Sequence, residues 1–237
     1  MCRMFAIISH TPFQLGSYID TLSHMAEFSS HAPHADGYGI AYYDRQFIIH
    51  KAIEPIWQHD TTLDAVTSTA AVMHARKSSF GAKTIENVHP FIENTRHGPF
   101  LFMHNGTIYD AQELFSAFTG TKDVCDSRII ADAIARSADD CRSFHDAVYH
   151  VSTTIYHKSS NYTSANAIIL HDATMYCIRT CCVEEDYYTL YYSLQNDLLM
   201  VSTDPFGDYT WTLLENHTVT SFSPNEKSFT IKTVPIR

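Results

Sequence analysis

The sequence predicts an α+β domain in which helices cover the faces of β-sheets. Three observations predict it. Short apolar runs fill the first part of the chain, two of them running straight into polar residues and then a glycine. A central stretch carries apolar residues at helical spacing, and strand-like segments then return and continue to the C-terminal end. No internal repeat, low-complexity tract or long linker interrupts the order, so residues 1–237 are expected to form a single domain.

Taken in order, Met4–Ser9 reads as a buried strand. Gly37–Tyr43 and Phe47–His50 flank the turn-like Asp44-Arg45 and read as a hairpin. Ala70–Ala75 and Phe100–His104 are two more apolar strands. Asp110-Ala-Gln-Glu113 resembles a capping box, with Leu114, Phe115 and Phe118 following at helical spacing. Ser127–Ala138 sets Ile129, Ile130, Ala133 and Ile134 on one helical face, and Ser143–His157 sets Phe144, Val148, Val151 and Ile155 on another. Strands are expected again at Ala165–His171, Met175–Arg179, Tyr188–Ser193, Leu198–Ser202, Thr218–Phe222 and Ser228–Val234.

Composition narrows the function. With 45% hydrophobic and 18% charged residues the chain is a globular one. Its 16 basic and 26 acidic residues give a formal charge of -10, which argues against nucleic acid or an anionic membrane as partner. No apolar stretch is long enough for a membrane helix and the start lacks a secretory leader, so a cytoplasmic location is expected. The 6 cysteines have no CxxC pairing or regular spacing, so free thiols are expected. Fifteen histidines form no HExxH or similar ligand pair. His31 and His34 lie in a Ser/Pro-containing loop and read as solvated, so neither a metal nor a cofactor is implied.

Cys2 becomes the first residue if Met1 is trimmed, which a small second residue permits. Thiol and free α-amine then share one residue, and the amine, with an ordinary pKa of about 7.7–8.0, suits a general base. A small core cysteine is the plain alternative. Three segments bear on the choice. His34-Ala-Asp-Gly-Tyr-Gly-Ile40 puts two glycines around an aromatic residue, where backbone could approach a ligand closely. Met73-His-Ala-Arg-Lys-Ser-Ser-Phe-Gly81 ends a strand in Arg76 and leads to Asn87-Val-His-Pro-Phe91. Phe102-Met-His-Asn-Gly-Thr-Ile108 ends another in Asn105-Gly106. Each has a bland reading: a surface ion pair for Arg76, a hairpin turn for Asn105-Gly106, a helix N-cap for Asp126, and loop fixation for His89.

Together, Cys-Arg-x-Phe, HxDGxGI, HxRKxSxG, NxHPF, HNGxI and Cys-Asp-Ser, in this order from Cys2 to Asp126, resemble the class II glutamine amidotransferases. The resemblance is to the stand-alone, single-domain branch of these N-terminal-nucleophile (Ntn) hydrolases. The distal half is similar chiefly in strand pattern and in Val201-Ser-Thr-Asp-Pro205. The resemblance implies a four-layer αββα sandwich of the Ntn-hydrolase type. It implies Cys2 as nucleophile with its own amine as base, and an oxyanion hole from the Asn105 side chain and the Gly106 N–H. Arg76 would clamp a glutamyl α-carboxylate and Asp126 the α-ammonium. Gly37 and Tyr38 backbone would border the pocket, and His89 is placed with the substrate-binding residues. The implied activity is glutaminase-type hydrolysis of the glutamine side-chain amide through a γ-glutamyl thioester, with an ammonia-accepting protein as partner. A γ-glutamyl amidohydrolase acting on a peptide or conjugate, and a catalytically idle subunit, are the alternatives. Arg128, where many relatives carry an acid, departs from the family pattern and bears on substrate recognition; Tyr38, Met4 and Ala6 are milder departures.

Overall fold

The computed structural model describes residues 2–79, 81–117, 124–195 and 197–237. The chain runs β1 (Arg3–Gln14), α1 (Gly16–Glu27), β2 (Tyr38–Asp44), β3 (Gln46–Ala52), β4 (Thr67–Ala75), β5 (Phe91–Thr95), β6 (Gly98–Ile108) and α2 (Ala111–Leu114). It continues through α3 (Asp126–Asp140), α4 (Phe144–Lys158), β7 (Tyr162–His171), β8 (Thr174–Arg179), β9 (Tyr191–Gln195), β10 (Leu198–Ser202), β11 (Thr212–Leu213), β12 (Thr218–Pro224) and β13 (Phe229–Pro235). Short 3₁₀ turns lie at Ile56–Gln58, Thr61–Ala65 and Ile85–Asn87.

The strands form two antiparallel sheets, a seven-stranded one ordered β11-β9-β10-β1-β4-β2-β3 and a six-stranded one ordered β13-β12-β8-β7-β6-β5. Strand alternation sorts their side chains into layers. On β1, Met4, Ala6 and Ile8 enter the core between the sheets, whereas Phe5 and Ile7 enter the core beneath α1. On β6, Leu101 and Met103 face the other sheet, and Phe100 and Phe102 pack under α3 and α4 with Ile130, Ile134, Val148 and Val151. Helix, sheet, sheet and helices are therefore stacked in four layers, the αββα arrangement. No helix among the described residues is long and apolar enough to cross a membrane.

Several elements differ from the sequence expectation. α1 was not expected: its buried Ile19, Leu22 and Ala26 keep helical spacing, but its N-cap is Leu15, which offers no capping side chain. β5 was also missed, because its Glu93 and Asn94 dilute the apolar alternation. The capping box at Asp110 does not form. That carboxylate accepts instead from the Ser159 hydroxyl and from the backbone and hydroxyl of Ser160, and α2 ends after one turn. Phe118, expected on this helix, lies outside the described residues. β9 starts at Tyr191 rather than Tyr188, since the Tyr187 and Tyr188 N–H groups both turn back onto the Glu184 carbonyl.

Candidate active site

Strand pairing gathers the chemical groups at one end of the sandwich. Arg3 lies opposite Ala75, so the antiparallel register carries Cys2 across from Arg76. Alternation along β1 turns Cys2, like Met4, toward the space between the sheets, and alternation along β6 turns Asn105 into the same space. The two meet: the Cys2 backbone nitrogen donates to Asn105 Oδ1 at 2.7 Å. Cys2 Sγ donates to the Lys77 carbonyl at 3.6 Å and accepts from the Lys77 N–H at 3.5 Å. Burial pushes the Cys2 thiol above its ordinary value, although the Lys77 N–H and Arg76 pull it down; Asp126 pushes it up further. The resting group is a thiol that needs a base to become a nucleophile.

Asn105 and Gly106 are not a turn. They sit inside β6, paired with Asn166 and Ala165 of β7. Asn105 is fully buried, and its Nδ2 is an amide donor with no partner among the described residues. An unpaired buried N–H₂ costs roughly 1–3 kcal/mol, which makes it a donor waiting for an acceptor. Gly106 has φ 151°, and a Cβ there would lie 1.8 Å from the Ser164 carbonyl oxygen. Only glycine lets β6 approach β7 this closely at the point where the Asn105 side chain is delivered.

The two charged groups are buried close by. The Arg76 backbone N–H donates to the Gly37 carbonyl at 2.8 Å. Its guanidinium donates to the Ala82 carbonyl at 3.3 Å and to Ser78 Oγ at 3.1 Å. Asp36, from the HxDGxG segment, steadies this loop by accepting the Ser78 N–H at 2.9 Å. Asp126 is the first residue of α3, capped by Cys125, so the N-cap reading is replaced: its Oδ2 accepts the Ile108 N–H at 2.8 Å. His104 Nδ1 lies 3.8 Å from the same oxygen. Its Nε2 is 3.2 Å from the Ser164 carbonyl and therefore donates, leaving Nδ1 to accept from the Ser127 hydroxyl at 2.8 Å. Burial holds His104 below its ordinary value, so it stays neutral; the nearby Asp126 charge opposes this.

The remaining expected site residues lie further back. His89, joined to Pro90 by a cis bond, stacks on His74 with ring centroids 4.1 Å apart. Burial depresses His74 to about 3 and holds His89 well below its ordinary value. Tyr38 packs its ring into the core beneath α1, so only its backbone can border the site. The close backbone approach expected near Gly39 is made to the His89 carbonyl, 1.9 Å from where a Cβ would stand. Arg128 pairs with Glu93 at 2.9 Å and lies over the Phe91 ring.

Sequence reading gave no role to Thr203 and Asp204, which brace the strand that follows Cys2. The Thr203 N–H donates to the Met4 carbonyl, and Asp204 pairs with the buried Arg3 at 2.9 Å. The signal was the Val201-Ser-Thr-Asp-Pro205 segment, whose partner strand is nearly two hundred residues earlier. All six cysteines are free thiols. Among the described residues no group of three or more His, Cys, Asp or Glu could hold a metal. His34 is buried with Nδ1 on the Ala26 carbonyl, and His31 stacks on Tyr187.

Residues 1–153 match the sequence profile described as glutamine amidotransferases class-II. An uncharacterised protein of Methanocaldococcus jannaschii is 27% identical over 121 residues, covering 48% of this chain and 32% of that one. The glutamine phosphoribosylpyrophosphate amidotransferase of Bacillus subtilis superposes with a TM-score of 0.75 at 18% identity, over 100% of this chain and 49% of that one. A glutamine aminotransferase class-II domain protein of Silicibacter pomeroyi gives a TM-score of 0.63 at 17% identity, over 99% and 100% of the two chains. The match thus spans about a third of the curated relative's length and about half of the Bacillus chain.

Proposed function

The chain belongs to the class II glutamine amidotransferases, and from that premise we propose that it hydrolyses the side-chain amide of glutamine through a γ-glutamyl thioester on Cys2. The observation that carries the proposal is the split role of the buried Asn105 amide. Its oxygen holds the Cys2 nitrogen at 2.7 Å, while its Nδ2 is a buried donor without a partner among the described residues. One side chain can then orient the base and receive the negative charge made by the nucleophile.

With Met1 removed, the Cys2 nitrogen is a free amine and takes the thiol proton. The thiolate adds to the side-chain carbonyl carbon of glutamine, and its oxygen becomes an oxyanion held by Asn105 Nδ2 and the Gly106 N–H. Collapse breaks the carbon–nitrogen bond, the ammonium returns its proton to the departing nitrogen, and ammonia leaves a γ-glutamyl thioester. The amine next takes a proton from water, the hydroxide adds to the thioester, and glutamate departs as the Cys2 sulfur recovers the proton. Arg76 would bind the α-carboxylate and Asp126 the α-ammonium, with Gly37, Tyr38 backbone and His89 around that pocket. The freed ammonia would pass to an acceptor protein.

The test uses a diazoketone analogue of glutamine and mass spectrometry of the intact chain and its peptides. A chain lacking Met1 should gain one adduct, on Cys2, and should release glutamate from glutamine. Cys2→Ala should do neither while keeping its circular dichroism spectrum. Full turnover with Met1 retained, or with alanine at position 2, would overturn the mechanism.

A further inference from the structure

The two charges proposed to grip the glutamyl head belong to different layers. Arg76 follows β4 of the seven-stranded sheet, whereas Asp126 opens α3 on the far face of the six-stranded sheet. Backbone pairing within either sheet cannot fix the distance between them. Their spacing depends on what ties the loop after Arg76 to the residues just before α3.

We propose that Asn87 is a positioning residue that ties the Arg76 loop to the start of α3, so that the carboxylate and ammonium halves of the clamp keep one spacing; this rests on the proposed glutaminase reading. Asn87 closes the 3₁₀ turn Ile85–Asn87 and is only 2% exposed. Its Oδ1 accepts the N–H of Cys125, the N-cap of α3 beside Asp126, at 2.9 Å. Its Nδ2 donates to the Ala82 carbonyl at 3.0 Å, and that same carbonyl receives Arg76 Nη1 at 3.3 Å. One amide therefore touches a direct partner of the guanidinium and the residue next to the carboxylate. Both arms are needed, one accepting and one donating, and the two ends of an amide supply them from separate atoms.

Packing supports the same link. Gly81, at φ 80°, sits against Cys125: a Cβ there would lie 3.1 Å from Cys125 Cβ and 3.2 Å from Asn87 Nδ2. The loop and the helix start are thus in contact around the Asn87 side chain. Ser79 Oγ adds a second tie to β6 through Thr107 Oγ1 at 2.7 Å. Loosening this link should disturb recognition and spare the nucleophile.

Asn87→Asp is the informative change. It is isosteric, keeps the acceptor for Cys125, and turns the other arm into an anion facing a carbonyl oxygen. In the mature chain, KM for glutamine should rise about tenfold, the size of one or two lost buried hydrogen bonds, with kcat held within about twofold. The rate at which iodoacetamide alkylates Cys2 should not change. N-acetylglutamine, which lacks the α-ammonium, should show no rise in KM. By hydrogen exchange, residues 77–83 and 124–127 should lose protection together. Asn87→Ala, which removes both arms, should give the same pattern and serves where Asn87→Asp does not fold. An unchanged KM, a fall in kcat at constant KM, or exchange that rises in one segment alone would overturn the proposal. A parent chain that hydrolyses no glutamine would overturn the glutaminase reading by itself, and the paired exchange measurement would still decide the role of Asn87.

Discussion

Lowering the pH from 7 to 5 should remove a large part of this protein's stability, because a histidine stack is held neutral in its interior. His74 is fully buried and pulled to about 3 by desolvation. In an unfolded chain the same group has a pKa of about 6.5. Between those values the unfolded state binds a proton that the native state does not, so stability falls as the pH drops through 6.5, and the loss ends only near 3. Each pH unit in that window costs about 1.4 kcal/mol per histidine, so His74 alone should cost about 2 kcal/mol at pH 5. His89, stacked on it and likewise held well below its ordinary value by burial, should add to the loss in the same direction. A domain has only about 5–15 kcal/mol in total. His104 acts in the same direction, opposed by the Asp126 charge and the Ser164 carbonyl. Urea unfolding followed by circular dichroism at pH 7, 6 and 5, at constant ionic strength, measures the loss. His74→Gln should lower stability at pH 7 but make its pH dependence shallower by one proton. Equal stability at pH 7 and 5, or an unchanged slope in His74→Gln, would refute the picture of neutral stacked rings.

The catalytic assignments make two more predictions. Asn105→Ala should lower kcat by about 10²–10³ with little change in KM, as loss of an oxyanion donor does; steady-state kinetics that moved KM alone would reduce Asn105 to a strand residue. Arg76→Lys should raise KM for glutamine, because a bidentate fork becomes a point charge. The companion comparison is across glutamine, its α-methyl ester, N-acetylglutamine and a γ-glutamyl anilide. Equal cleavage of the ester and the N-acetyl compound would remove Arg76 and Asp126 from the clamp, and cleavage of the anilide alone would favour a γ-glutamyl amidohydrolase.

The sequence by itself determined the ingredients. Strands with clean alternation or long apolar runs, such as those around Met4, Ala71 and Leu101, were legible because side-chain period follows directly from strand geometry. α3 and α4 were legible for the same reason at helical period. The ordered motifs from Cys2 to Asp126 pointed to a family, because close approach, amide donation and opposite charges each demand particular residue types. Elements with weak local signals were lost: α1 has no capping side chain, and β5 carries polar residues on an edge.

Only the tertiary structure decided what those residues do. Locally, Asn105-Gly106 is the strongest of turn signals, yet pairing with β7 on one side and closure over Cys2 on the other keep it extended. Locally, Asp126 is an N-cap, yet the Ile108 N–H claims its carboxylate and Cys125 takes the cap position. Asp110 has a capping-box sequence and spends its oxygens on Ser159 and Ser160 instead. In each case the competing partner is distant in sequence, and the hydrogen bonds it makes outweigh a local preference worth about a kcal/mol. Asn87 shows the limit most plainly. Its neighbours in sequence do not explain it, because its side chain joins Ala82 in its own loop to Cys125 on another layer, and these meet only when both sheets are in place.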